Sequence, residues 1–406
     1  MSRFRRRLMG LAALRQAAAD DYVRVEYIEN SNLAYINTNF SISTNVGYSI
    51  DAVITISSAK AGYLIGKSGG NPYNVSIGIT DTPKFKTFCN RTTVNYTDYT
   101  AELDKKYHLT GSPKNLTVEY EDIDEETQEK VTKSFSFTND GRIINSKQLS
   151  IFNIIGYVNT SNAFYGRIYS FKLYNQSGTL VRDFIPMYQI STDTYGLWDR
   201  VNDEFYSSAN SYKFTGGERV IADANENLYY LKNYIYINST QQQYIILKPF
   251  TENDNVELKV YPIGATNYWF GDRTGSGAKR LQIASWNNTR LDIARNQFPS
   301  ITYSKGIINK DITLKLDGKQ FYVNNELLYT FTSTLSTTNN TNLGRVYNTG
   351  RNTNSIFYWF KWWNKNKDLI YDLIPVQRCS DNVWGFFDKV SLVFHPSNGT
   401  EQFTGG

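Results

Sequence analysis

The chain has 406 residues, 40% hydrophobic and 20% charged, with a formal net charge of +5. This is a globular composition, too long for one ordinary core and suited to two or three domains. No run approaches 18 consecutive apolar residues, which excludes a membrane-spanning helix, and two His, two Cys and three Met leave little material for metal or redox chemistry.

The positive charge is local. Residues 1–19 hold Arg3, Arg5, Arg6, Arg7 and Arg15 and no acid, so the remainder balances at 38 − 38 = 0 and exerts no net pull on nucleic acid or an anionic membrane. The segment MSRFRRRLMGLAALRQAAAD reads as a short helix, with Phe4, Leu8 and Leu11 at i, i+4 and i+7 and Ala filling the positions between. A secretory signal is the rival, but its apolar core would be only Leu8 to Leu14, interrupted by Gly10 and ended by Arg15. The reading adopted is a docking peptide over residues 1–21. A helix this short is marginal alone and orders against a partner's groove, and its arginines suit an acidic or carbonyl-lined surface. Its anchor residues are Arg3, Phe4, Arg5, Arg6, Arg7, Leu8 and Leu11.

Beyond residue 21 the pattern is all-β. Tyr48, Ile50, Ala52, Ile54 and Ile56 alternate with Ser49, Asp51, Val53 and Thr55, the period of a strand. Leu116, Val118 and Tyr120 form another such face, and the acidic stretch EDIDEETQEKVTK follows as a solvated hairpin. Tyr169, Phe171 and Leu173 share a face. Later, Ile312, Leu314 and Leu316 run into the Asp317-Gly318 hairpin signal, and Phe321 and Val323 return. High Tyr and Phe content with many turn residues favours short strands. Cys89 and Cys379 fall at non-equivalent positions, which favours buried free thiols over a disulfide.

Self-comparison carries most of the information. Asp183–Gly217 matches Asp372–Gly406 at an offset of 189 without a gap, and 13 of the 35 pairs are identical. The identities include Asp183/Asp372, Pro186/Pro375, Gly196/Gly385, Asp199/Asp388, Phe205/Phe394 and the terminal Phe-Thr-Gly-Gly. Upstream, Tyr165–Asn175 aligns with Asn354–Asn364, Tyr27-Ile28 with Tyr236-Ile237 and Tyr35 with Tyr244, the last two at an offset near 209. The boundaries follow: an anchor to 21, domain one 22–217, a connector 218–226 and domain two 227–406. Each domain of short antiparallel strands is expected to be a two-sheet sandwich or jelly roll.

The repeated motif, an aromatic-rich strand, LVRDFIP, GLWD-x-V-x-x-x-FY and FTGG, spans Ile168–Gly217 and again Phe357–Gly406. It resembles the concanavalin A-like lectin/glucanase superfamily, and more narrowly the laminin-G-like domains of phage structural proteins. The basic start MSRFRRRLMG is similar to short N-terminal anchors on virion proteins of crAss-like tailed phages. The resemblance implies two tandem lectin-like sandwiches behind a helical anchor. It also implies a virion location, with other capsid or tail proteins, further copies of the chain and host surface glycans as partners, and no nucleic acid or membrane.

The same superfamily includes glucanases, which need two carboxylates about 5–5.5 Å apart in a groove for retaining hydrolysis. The only dense acidic run is Glu119, Glu121, Asp122, Asp124, Glu125, Glu126 and Glu129. It lacks groove-building aromatics and has no counterpart in domain two, so no enzyme is expected. Neither His108 nor His395 sits beside a nucleophile elbow. No cofactor is expected. Calcium is the one cation the resemblance admits, at Asp199 and Asp388, where capping of a Gly-aromatic turn is the preferred role. Six of the seven Trp lie in domain two. Trp362 and Trp384 are expected in the core, whereas Trp359 and Trp363 fall on the opposite strand face around Lys361. Trp359, Lys361 and Trp363 are therefore the expected contact residues, for a glycan or a protein. A glycoside hydrolase or depolymerase on the same fold, or a secreted adhesin, are the alternative functions.

Overall fold

The structure, a computed structural model, describes residues 21–42, 47–67, 75–89, 94–123, 130–138, 148–154, 162–251, 254–272, 281–295, 300–332, 339–346 and 353–406. The N-terminal segment read as a helix, with Arg3, Phe4, Arg5, Arg6, Arg7, Leu8 and Leu11, lies outside the described residues. The chain divides into two compact units, Met1–Arg219 and Val220–Gly406.

In the first unit a large sheet runs in the order Lys130–Thr138, Asn115–Ile123, Tyr107–Gly111, Tyr48–Ile56, Gly166–Asn175, Leu180–Gln189, Thr194–Asp199, Glu204–Tyr206. A six-stranded sheet, from Ile36–Ser41 through Gln148–Ile151 and Gly62–Lys67 to Val75–Ile79, Phe85–Cys89 and Val94–Tyr96, forms the second layer. Side chains from both layers make one buried cluster. Tyr48, Ile50, Ala52, Ile54 and Ile56 from the large sheet meet Ile65, Val75, Ile77 and Ile79 from the small one. Apolar burial of this kind is the main stabilising term, roughly 25 cal/mol per Å². The acidic segment begins in the strand Asn115–Ile123 and returns as Lys130–Thr138, a hairpin at the sheet edge.

The second unit repeats the plan. Its large sheet runs Val220–Ala222, Leu228–Leu231, Leu369–Arg378, Ser355–Trp363, Asn255–Pro262, Ile312–Asp317, Gln320–Val323, Glu326–Thr330. The six-stranded partner contributes Ile245, Leu247, Phe270, Leu281 and Ile283 to a core shared with Val256, Leu258, Val260, Phe357, Phe360 and Trp362. Val220–Ala222 lies in the segment read as a connector. It is a strand of the second unit, pairing with Leu228–Leu231, rather than a free linker.

The repeat holds at the level of hydrogen bonds. Both units bulge at one position, Tyr169 in the first and Tyr358 in the second, where the ladder skips a residue. One sequence match needs correcting. Gly217 N–H donates to Tyr27 O and Gly406 N–H to Tyr234 O, so Tyr27 corresponds to Tyr234, not Tyr236. Tyr35 and Tyr244 do correspond, accepting from Ala209 and Asn398, so two extra residues fall in the intervening turn of the second unit. Cys379 is half-buried rather than buried.

One position differs between the units in a way that titrates. His395 occupies the place of Tyr206, each opposite the equivalent residue of the neighbouring strand, Phe386 and Leu197. His395 Nε2 is buried and has no hydrogen-bond partner among the described residues. Burial pushes its imidazole below the ordinary value, and the nearby Asp388 charge opposes this only in part. The folded state therefore resists protonation more than the unfolded state does. That stability is present above the ordinary histidine value of about 6.5 and is lost as pH falls below it. The second unit should melt progressively earlier between about pH 7 and pH 5. His395→Tyr should flatten that dependence; equal pH slopes for the two proteins in scanning calorimetry would rule the histidine out.

Candidate functional site

The strand Ser355–Trp363 positions the site. Phe357, Phe360 and Trp362 are buried in the core, while Tyr358, Trp359, Lys361 and Trp363 are partly exposed on the other face. The bulge at Tyr358 explains why two consecutive residues, Tyr358 and Trp359, both face outward: it lets Phe357 and Phe360 both point inward. Trp359 and Trp363 lie four residues apart, so about 13 Å of strand separates them.

Cross-strand neighbours fill in the face. Lys259 pairs with Trp359, Glu257 with Lys361 and Asn255 with Trp363. On the other side, Glu257 pairs with Lys315. Lys259 Nζ sits 4.8 Å from the Tyr358 ring centroid and 3.2 Å from Asp311 Oδ2. Burial, and after it a hydrogen bond to Asp311, pushes the Tyr358 hydroxyl up to about 12. Lys361 Nζ lies 5.8 Å from the Trp359 ring centroid, within reach of a cation–π contact.

At the far end of the row a depression of about 180 Å³ is lined by Asn255, Glu257, Lys315, Asp317, Trp363 and Lys367. Lys315 Nζ is 3.0 Å from Asp317 Oδ2, and that hydrogen bond holds the Lys315 ammonium above its ordinary value. Asn255 Oδ1 accepts the Gly318 N–H at 2.6 Å, tying the Asp317-Gly318 turn to the neighbouring strand. Aromatic face, carboxylates, ammonium groups and an amide thus converge on one small hollow. Such a set binds hydroxyl groups by donation and acceptance while stacking a C–H face on indole.

The other tryptophans are structural or lie elsewhere. Trp269 and Trp362 are fully buried, and Trp269 Nε1 donates to Ser355 Oγ at 2.9 Å. Trp384, expected in the core, is only partly buried: it lies over Gly405 of the returning C-terminal strand. Trp286 is exposed on a turn, donating to Asp292.

The matching face of the first unit carries different chemistry. Ser170, Lys172 and Tyr174 stand where Trp359, Lys361 and Trp363 do, as the shared bulge confirms. Around them His108 Nε2 meets Asp51 Oδ1 at 2.8 Å, His108 Nδ1 meets Glu119 Oε2 at 3.4 Å, and Lys172 Nζ approaches Asp51 at 3.7 Å. Asp122 is held by Lys105 and Lys133 at 3.4 and 2.8 Å. Asp124, Glu125, Glu126 and Glu129 lie outside the described residues.

Asp199 and Asp388 are fully buried and engaged by N–H donors. Asp199 Oδ1 accepts from Asp183 and Val201, both at 3.0 Å, and Asn202 Nδ2 donates to Oδ2 at 2.5 Å. Asp388 Oδ1 accepts from Asp372 at 2.9 Å and Val390 at 3.1 Å, and Ser391 Oγ donates to Oδ2 at 2.5 Å. The two carboxylates thus tie the start of one strand to the turn beyond the next.

Strand parity puts Trp359, Lys361 and Trp363 on the outer face, where they stand; it does not anticipate Asn255, Glu257, Lys315, Asp317 and Lys367 beside them. Alternation marks Glu257 and Lys315 as outward. Which strands lie beside Ser355–Trp363 is set by topology, which no local pattern encodes.

No family model matches the chain, and no curated protein matches it. Among solved structures, the chain is similar to domains LG4-5 of the mouse laminin alpha1 chain, at 7% identity and a TM-score of 0.30 over 86% of this chain and 90% of that one. It is also similar to the LG1-3 region of the laminin alpha2 chain, at 9% identity and a TM-score of 0.26 over 84% of this chain and 61% of that one.

Proposed function

We propose that this chain is a non-enzymatic phage virion protein. Its N-terminal segment attaches it to a capsid or tail component. Its two lectin-like sandwiches decorate the particle and meet host surface glycans or neighbouring subunits, without a cofactor. The observation that carries the binding part is the partly exposed row Trp359–Lys361–Trp363 on the solvent side of the second unit's large sheet. Rigid amphipathic rings of this kind dominate contact energies. The virion part is supported by the repeated motif and the arginine-rich start. A glycoside hydrolase on the same fold is disfavoured because Glu119 and Asp122 are engaged by His108, Lys105 and Lys133.

The test uses particles carrying Trp359→Ala together with Trp363→Ala. The fold should survive, and adsorption to host cells or to the neighbouring subunit should fall about tenfold or more, since truncating such rings costs roughly 2 kcal/mol. Ser170→Ala with Tyr174→Ala should change little. A large drop in melting temperature for the Trp variant would make the rings structural. Absence of the chain from purified particles under gold-labelled antibody would end the virion reading, and release of reducing ends from host polysaccharide would replace it with a hydrolase.

A further inference from the structure

We propose that the depression beside Trp363 is a subsite for one ring of a neutral, hydroxyl-rich glycan. The inference rests on the reading of the Trp359–Trp363 row as a contact surface, and names what one end of that row takes.

Size sets the first limit. At about 180 Å³ the hollow falls below the roughly 300–1,000 Å³ of pockets that enclose drug-sized ligands, so it holds one ring rather than a chain. Chemistry sets the second. Two carboxylates, Glu257 and Asp317, face two ammonium groups, Lys315 and Lys367, and the four charges cancel. An anion entering here meets both carboxylates, and a cation meets both lysines. A sugar hydroxyl donates one bond and accepts others, so it satisfies both sets. Lys315 is also already committed to Asp317 at 3.0 Å, which removes the charge an anionic sugar would seek.

Preorganisation is the third point. Glu257 pairs across the ladder with both Lys361 and Lys315, and the Asn255 contact to Gly318 fixes the turn carrying Asp317. Groups held on strands lose little freedom when a ligand arrives. The first unit serves as an internal control. Its corresponding positions, Ser49, Asp51, Thr110, Ser112, Tyr174 and Gly178, have neither the lysines nor the indole.

The experiment is saturation-transfer NMR on the full chain with methyl α-D-glucopyranoside, methyl α-D-mannopyranoside and methyl β-D-galactopyranoside, and with D-glucuronic acid as the anionic probe. At least one neutral glycoside should bind with Kd on the order of 1 mM, as a single shallow ring site allows, and more tightly than glucuronate. Asp317→Asn and Trp363→Ala should each weaken it at least tenfold, with Lys367→Ala as an exposed variant that leaves folding alone. Tyr174→Ala should not change it. No neutral glycoside binding, binding indifferent to all three variants, or tighter binding of glucuronate would each overturn the proposal. If the glycosides fail while the Trp359→Ala, Trp363→Ala particles still lose adsorption, the sugar assignment falls and the contact surface stands. If glycosides bind and adsorption is unchanged, the subsite stands and the attachment reading falls.

Discussion

Gly385→Val is expected to lower the stability of the second unit by about 2–3 kcal/mol, and Gly196→Val that of the first by a similar amount, the range of overpacked cores. Both glycines lie inside strands, Trp384–Asp388 and Thr194–Asp199, so the requirement is space rather than a left-handed backbone. A Cβ on Gly385 would sit 2.4 Å from the Phe394 ring and 2.6 Å from His395 O. On Gly196 it would sit 2.6 Å from the Phe205 ring and 2.4 Å from Tyr206 O. In both units an aromatic ring lies over the glycine, and the adjacent strand's carbonyl blocks relief from the other side. A ring can rotate away; a ladder carbonyl cannot move without breaking its strand pair. Each unit has its own core, so each substitution should shift one calorimetric transition by roughly 5–10 °C and leave the other in place. Unshifted transitions in both variants would show that the strands part without cost.

The recurrence of that glycine was visible in the repeat, but its reason was not. Only the neighbouring strand, with the Phe394 ring and the His395 carbonyl close over Gly385, shows why no side chain fits there. The same division runs through the fold. Strand parity placed Trp362 inside and Trp359 and Trp363 outside, because a period of two is a local property. The 189-residue offset located equivalent strands because Asp183–Gly217 and Asp372–Gly406 share their spacing without a gap. It failed near the starts, where Tyr-Ile pairs recur. The Tyr27 match slipped by two residues because its true partner, Tyr234, is identified by a bond from Gly406 far along the chain. The bulges at Tyr169 and Tyr358 left no mark in the pattern, since a bulge is defined against its partner strand. The subsite around Trp363 was hidden for the same reason: Asn255, Glu257, Lys315 and Asp317 come from strands that only topology brings to Trp363.

Asp199→Ala should strongly destabilise the first unit, and Asp388→Ala the second by a somewhat smaller amount. Each carboxylate is fully buried and takes N–H bonds from two separate places: the strand start at Asp183 or Asp372, and the turn at Val201 or Val390. Truncation removes at least two backbone bonds to a charged carboxylate, each worth roughly 1.5–3 kcal/mol, so about 3 kcal/mol or more is expected for Asp388→Ala. Asp199 adds a partner that Asp388 lacks. Arg182 Nε lies 3.4 Å from its Oδ2 with the Arg side chain only 13% exposed, whereas Tyr371 stands at the corresponding place in the second unit. Arg182 keeps two bonds, Nε to Thr38 O at 2.9 Å and Nη1 to Val181 O at 2.7 Å, but loses its counter-charge, and unpaired buried charge is expensive. Asp199→Asn and Asp388→Asn retain an acceptor oxygen and should lose less than the alanines. Chelation separates this turn-tying role from a cation site at the same carboxylates. With EDTA the wild-type melting temperature should hold while both alanine variants remain destabilised. A wild-type drop in EDTA as large as that of the alanine variants would mean that these carboxylates hold a divalent cation.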